Sequence, residues 1–124
     1  PDGATVVTGG DFSPLRVWDV KTQKPKFDLP PLHEAAGCAF SPDGRYLVTH
    51  YPGPDRYVRF DLTDATKPTA DWLNGLPQQP KGGSLWLSPD GARIAIQAQP
   101  HSFVYDLTMK PATELAKLPG VWTW

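Results

Sequence analysis

The 124-residue chain carries 12 Lys and Arg against 13 Asp and Glu, a formal charge of −1, together with 15 Pro, 11 Gly and a single Cys. A near-neutral surface lacks the basic stripe that phosphate neutralisation needs, so nucleic acid is not the expected partner. No window approaches the roughly 18 apolar residues of a membrane span, no basic stretch followed by an apolar run marks a leader, and Cys38 alone makes neither an internal disulfide nor a Cys-based zinc site, which leaves the compartment open with the cytoplasm as default.

The predicted elements, in chain order, are short strands between turns. Ala4–Thr8 follows Pro1-Asp2-Gly3, and a second run closes on Val17-Trp18-Asp19 before Leu29-Pro30. Gly37–Phe40 leads through Ser41-Pro42-Asp43-Gly44 into Arg45–Thr49, then into a run ending Arg59-Phe60-Asp61 and the pair Leu76-Pro77. Ser84–Leu87 leads through Ser88-Pro89-Asp90-Gly91 into Ala92–Ile96, then Val104-Tyr105-Asp106, Leu118-Pro119 and the closing Gly120-Val121-Trp122-Thr123-Trp124. Val, Ile, Leu and aromatic residues dominate these runs, as strands require. The acids point the same way: all are Asp except Glu34 and Glu114, and Asp favours turns over helix interiors.

The same four marks return in the same order three times, at a period of roughly 40 to 47 residues. In Ser-Pro-Asp-Gly, proline presets φ for the second turn position and glycine supplies the left-handed conformation that enters the next strand. Each repeat therefore reads as a four-stranded antiparallel meander, with the first strand of the first repeat missing. Such a sheet cannot bury both faces alone, so the units are expected to stack. The predicted repeats cover 1–32, 33–79 and 80–119, with 120–124 as a candidate first strand of a next or neighbouring unit.

These repeats resemble the blades of a WD-repeat β-propeller, on the strength of Trp18-Asp19 and its softened forms Phe60-Asp61 and Tyr105-Asp106, and of the Ser-Pro-Asp-Gly turns. Lactonase-like and quinoprotein-like propellers, which also use Pro-Asp-Gly turns, are competing relatives. The resemblance implies an internal hydrogen-bond set joining the Trp to a Ser or Thr on the second strand, a His before the first strand and an Asp in the following turn. Thr8, Trp18 and Asp11 fit it in the first blade; Thr49, His33 and Asp55 fit it in the second, where Phe60 lacks the indole N–H; Ile96 stands at the hydroxyl position in the third. The expected fold is thus all-β: three blades forming an open arc that needs completion to a ring, since propellers close with four or more.

No residue pattern points to catalysis, a cofactor or a metal. His33, His50 and His101 belong to different repeats without ligand spacing. Asp43 and Asp90 are turn residues on successive blades, and Asp19, Asp61 and Asp106 are expected to bond to their own turns. No Gly-x-Ser-x-Gly elbow or Lys-bearing phosphate loop is present, and Cys38 in its apolar run reads as core.

The connections between second and third strands, over 9–15, 50–57 and 97–103, differ most between repeats, and variable loops on a rigid scaffold commonly carry recognition. His50, Tyr51, Asp55, Arg56, Tyr57, Gln99 and His101 are the candidate partner-binding residues. Val121, Trp122 and Trp124 are the candidate assembly strand: Trp122 and Trp124 share one face, and burying each ring contributes on the order of 4–6 kcal/mol as an upper bound. The resemblance implies a non-catalytic scaffold for a protein or peptide partner, its ring completed by other copies or by the rest of a larger propeller. A propeller hydrolase of the lactonase type and a purely structural self-assembling module are the alternatives.

Overall fold

The computed structural model describes residues 3–10, 13–29, 37–51, 56–64, 68–77, 84–98 and 100–119. These hold eleven strands and no helix: β1 (Thr5–Gly10), β2 (Ser13–Asp19), β3 (Lys24–Asp28), β4 (Gly37–Phe40), β5 (Tyr46–Tyr51), β6 (Arg56–Asp61), β7 (Thr69–Leu73), β8 (Leu85–Leu87), β9 (Arg93–Ala98), β10 (His101–Asp106) and β11 (Thr113–Pro119). They form three sheets, ordered β1-β2-β3, β4-β5-β6-β7 and β8-β9-β10-β11. Every pairing is antiparallel between chain neighbours. The fold is therefore the expected set of meanders, two with four strands and the first with three, standing in an open row. The connections between second and third strands are tighter than expected, because β5 continues to Tyr51 before β6 starts at Arg56, and β9 continues to Ala98 before β10 starts at His101.

The two Ser-Pro-Asp-Gly turns are near-identical copies. Ser41 Oγ donates to Asp43 Oδ1 at 2.5 Å and accepts from the Tyr46 N–H at 3.0 Å, while Asp43 accepts from the Arg45 N–H at 3.0 Å. Ser88, Asp90, Ala92 and Arg93 repeat the pattern at 2.5, 3.0 and 2.9 Å. Gly3, Gly44 and Gly91 all take the left-handed conformation, with φ of 72°, 74° and 67°.

Side chains from facing sheets form two cores. Leu15, Val17 and Leu29 of the first repeat meet Leu47, Tyr51, Val58 and Phe60 of the second. Val48, Tyr57 and Leu73 of the second meet Leu85, Leu87, Ile94, Ile96, Tyr105 and Leu107 of the third. The middle sheet is thus covered on both sides, and β5 is buried at every position from Leu47 to Tyr51. The outer sheets are covered on one side only, so burial alternates: Leu15 and Val17 are buried around exposed Arg16, and Ile94 and Ile96 around half-buried Ala95. Each buried aliphatic side chain contributes roughly 1.5–3 kcal/mol, which makes the spaces between sheets the principal source of stability. Cys38, expected in the core, lies exposed instead, on the edge strand β4.

One polar clasp crosses the second core. Arg59 donates to the Gly91 carbonyl at 2.6 Å and pairs with Asp71 at 3.1 Å, with its guanidinium 5.5 Å from the Tyr46 ring centroid. The Pro-Asp-Gly turn of the third sheet is thereby seated on the second.

Candidate functional site

The residues expected at the loops separate into two groups. His50, Tyr51 and Tyr57 are 2%, 1% and 2% exposed, so the expectation that they stand on the surface is corrected. Strand alternation turns Tyr51 into the first core and His50 and Tyr57 into the second. The His50 and Tyr57 rings lie 4.6 Å apart, and Tyr57 donates its hydroxyl to the Pro77 carbonyl at 2.9 Å. These rings support the loop end of the sheet. Asp55 and Gln99 lie outside the described residues, as do Asp11, His33, Val121, Trp122 and Trp124.

Arg56 is exposed at the start of β6, and its guanidinium stands 5.6 Å over the ring of Trp72, itself 38% exposed on β7. Trp72 is one place along from the partner of Tyr57, opposite Val58, so the pair borders the groove between the first and second sheets. His101 occupies the matching place in the third sheet, half-buried, 6.2 Å from Phe103, over which Lys117 stands at 5.8 Å. Arg56 and His101 therefore lie in successive grooves and do not converge on one pocket. Each groove presents a cation over an aromatic face, an arrangement that adds roughly 0.5–1 kcal/mol at exposed sites and offers both charge and apolar area to a ligand. Trp72 and Lys117 escape a sequence reading, because only cross-strand register places them opposite Val58 and Phe103.

The structural residues divide by blade. Trp18 donates its indole N–H to Thr8 Oγ1 at 2.7 Å, the bond that the WD-repeat resemblance implies. Thr49, opposite Val58 and diagonal to Phe60, which has no indole N–H to offer, donates instead to the Gly37 carbonyl at 2.9 Å. Tyr105 donates to Glu114 at 3.3 Å across β10 and β11. Asp19, Asp61 and Asp106 each cap the turn after their strand, accepting from the N–H of Thr22, Thr63 and Thr108 at 2.8–2.9 Å. Among the described residues no three His, Cys, Asp or Glu side chains gather as a metal site would need, and no helix is long and apolar enough to cross a membrane.

Bonding lowers the pKa of all five turn carboxylates. The Ser41 and Ser88 hydroxyls, then the Arg45 and Ala92 N–H groups, hold Asp43 and Asp90 below the ordinary value. The Thr63 and Thr108 side chains do the same for Asp61 and Asp106, and the Thr22 N–H for Asp19. A depressed folded-state pKa means stability that is complete above the unfolded value, about 4, and lost as pH falls through the folded values. Urea midpoints are accordingly expected to stay flat from about pH 7 to 5 and to fall below about pH 4; Asp43→Asn with Asp90→Asn should flatten that acid limb. An unaltered acid limb would show that these turns are not its source.

No family model matches the sequence, and no curated protein does. Solved structures do match, β-propeller domains among them. The β-propeller domain of Cps50 (Swd1) from Myceliophthora thermophila superposes with a TM-score of 0.68 at 19% identity, over 96% of this chain and 36% of that one. Atg21 in its complex with the coiled coil of Atg16 gives 0.67 at 16% identity, over 91% and 36%. A 6-phosphogluconolactonase-like protein from Bacteroides fragilis gives 0.64 at 11% identity, over 97% and 37%. The chain spans less than two fifths of the length of these structures. Such identities show the fold, which is that of consecutive β-propeller blades.

Proposed function

We propose that the chain is a non-catalytic β-propeller scaffold that binds a protein or peptide partner along the grooves between its blades. The observation that carries this reading is the exposed Arg56–Trp72 pair at the groove between the first and second sheets, on strands whose Tyr51 and Tyr57 rings are buried. Arginine and tryptophan are the residue types that dominate binding hot spots, above all on a rigid support. The solved complex of Atg21 with a coiled coil supports the class of partner, a protein segment. The test is quantitative capture with the wild-type chain, followed by titration of the recovered partner against Arg56→Ala and Trp72→Ala. A loss of at least tenfold in affinity at an unchanged melting temperature supports the reading; full affinity in both variants removes it.

Completion of the ring belongs to the same reading: further propeller sheet, from other copies or additional chain, covers the outer blades. The role of Val121, Trp122 and Trp124 as an exchanged strand is tested by deleting 120–124, after which an unchanged assembly would refute the exchange. The likeness to the Bacteroides lactonase-like structure favours a second reading, a propeller hydrolase. Turnover of sugar lactones above the buffer rate would support it over the scaffold.

A further inference from the structure

The last strand of each sheet, β3, β7 or β11, is an edge, and the three edges are built differently. An unpaired edge offers a row of peptide N–H and C=O groups to any extended chain, and proteins blunt it with proline, lysine or a bulge. β3 carries Pro25 between Lys24 and Lys26, and its pairing with β2 shifts register between Val17 and Trp18. β11 carries Lys117 and Pro119, and its pairing with β10 shifts between Val104 and Tyr105. β7, Thr69-Ala70-Asp71-Trp72-Leu73, contains neither proline nor lysine, and its register against β6 is unbroken. It belongs to the middle sheet, both of whose faces are covered by neighbouring sheets.

Leu62 donates its N–H to the Arg45 carbonyl at 2.7 Å, and no shift interrupts the register from β5 through β6 to β7. Antiparallel partners alternate between bonded and non-bonded pairs. Tyr57, Arg59 and Asp61 therefore bond to Leu73, Asp71 and Thr69, and the peptide groups of Ala70 and Trp72 point away from β6. The Asn74 carbonyl, next in that alternation, accepts from the Ala112 N–H at 2.8 Å, so the third repeat closes the edge there. Among the described residues no bond reaches the outward groups of Ala70 and Trp72. The charge beside this open stretch is positive. Arg59 and Lys110 share the Asp71 carboxylate, at 3.1 and 3.6 Å, and Lys110 is 80% exposed. Arg56 stands over the Trp72 ring and has no carboxylate partner among the described residues. We propose that an extended acidic segment of a partner protein adds to β7 as a fifth strand, bonding to the peptide groups of Ala70 and Trp72. Side chains of the added strand alternate between its faces. On one face a carboxylate meets Arg56 beside an apolar group on the Trp72 ring; on the other a carboxylate meets Lys110. This inference rests on the Arg56–Trp72 reading above and adds the conformation and charge of the partner.

The probe is a library of randomised eight-residue peptides selected on the purified chain, with the recovered peptides titrated by fluorescence anisotropy against wild type, Ala70→Pro and Arg56→Glu. Ala70→Pro removes an outward N–H and leaves the bonds to β6 in place; should circular dichroism show it unfolded, peptides N-methylated at alternate residues carry the same test. Recovered peptides rich in Asp and Glu, at least tenfold weaker on Ala70→Pro and on Arg56→Glu, support the proposal, as does recovery of binding to Arg56→Glu when their acids are replaced by Lys. Peptides without acidic residues, or no peptide above background, overturn it. Binding that ignores both Ala70→Pro and N-methylation overturns strand addition, while the Arg56–Trp72 reading stands or falls separately with the captured partner on Arg56→Ala and Trp72→Ala. A chain that sediments as a dimer, and as a monomer in Ala70→Pro, makes a second copy the occupant and overturns the acidic partner.

Discussion

Substitution of Gly91 by alanine is expected to lower stability by about 3 kcal/mol, while the same change at Gly3 costs about 1 kcal/mol. Both glycines end a Pro-Asp-Gly sequence, and their φ values, 67° and 72°, are nearly the same. The conformational penalty of a Cβ in the left-handed region is therefore shared. What differs is the neighbour: at Gly91 the new carbon would lie 2.4 Å from Cδ2 and 2.7 Å from Cε2 of Tyr46, whereas Gly3 has open space. The excess at Gly91 measures how tightly the third sheet's turn is seated on the second. Urea unfolding midpoints of the two variants provide the comparison. Tyr46→Ala in the Gly91→Ala background should recover part of the loss. Equal losses at the two glycines would mean that the seam yields freely.

Removal of the Arg59 side chain is expected to cost about 2–4 kcal/mol. Arg59→Ala deletes the bond to the Gly91 carbonyl, the pair with Asp71 and the stack on Tyr46, and leaves that carbonyl without its donor in the seam. The side chain is mostly sheltered, at 20% exposure, so solvent screening discounts the pair only in part. Lysine is not expected to rescue, since one ammonium on a flexible stem does not reproduce the fork that serves both acceptors. Asp71→Asn should cost less, because the Gly91 bond survives it. A double-mutant cycle over Arg59 and Asp71 reports their coupling, and a loss below 1 kcal/mol in Arg59→Ala would show that the apolar core alone holds the two sheets together.

Most of the architecture was legible in the chain because it is written in local chemistry. Proline, aspartate and glycine at fixed places force the same hairpin wherever they occur, and the Asp that ends each third strand finds its own turn without help from elsewhere. Trp18 to Thr8 was also legible, through the family likeness. The binding surface was less so. Tyr51 and Tyr57 look like loop residues when adjacent Pro52 and Pro54 are read as a long connection, yet the strands run on and carry the rings inward. Trp72 carries no motif, and Arg59 resembles any charged strand residue; both acquire their places from the opposite strand and the next sheet.

By itself the sequence determined the period, the number of meanders, their antiparallel order and the turns, since each depends on residues within a few positions of one another. The tertiary structure alone decided which face of each sheet is covered. Alternation along a strand tells that two faces exist, but burial depends on whether another sheet stands roughly 10 Å away. That is why Leu47, Ile94 and Val6 share one place in the repeat and only Val6 meets water.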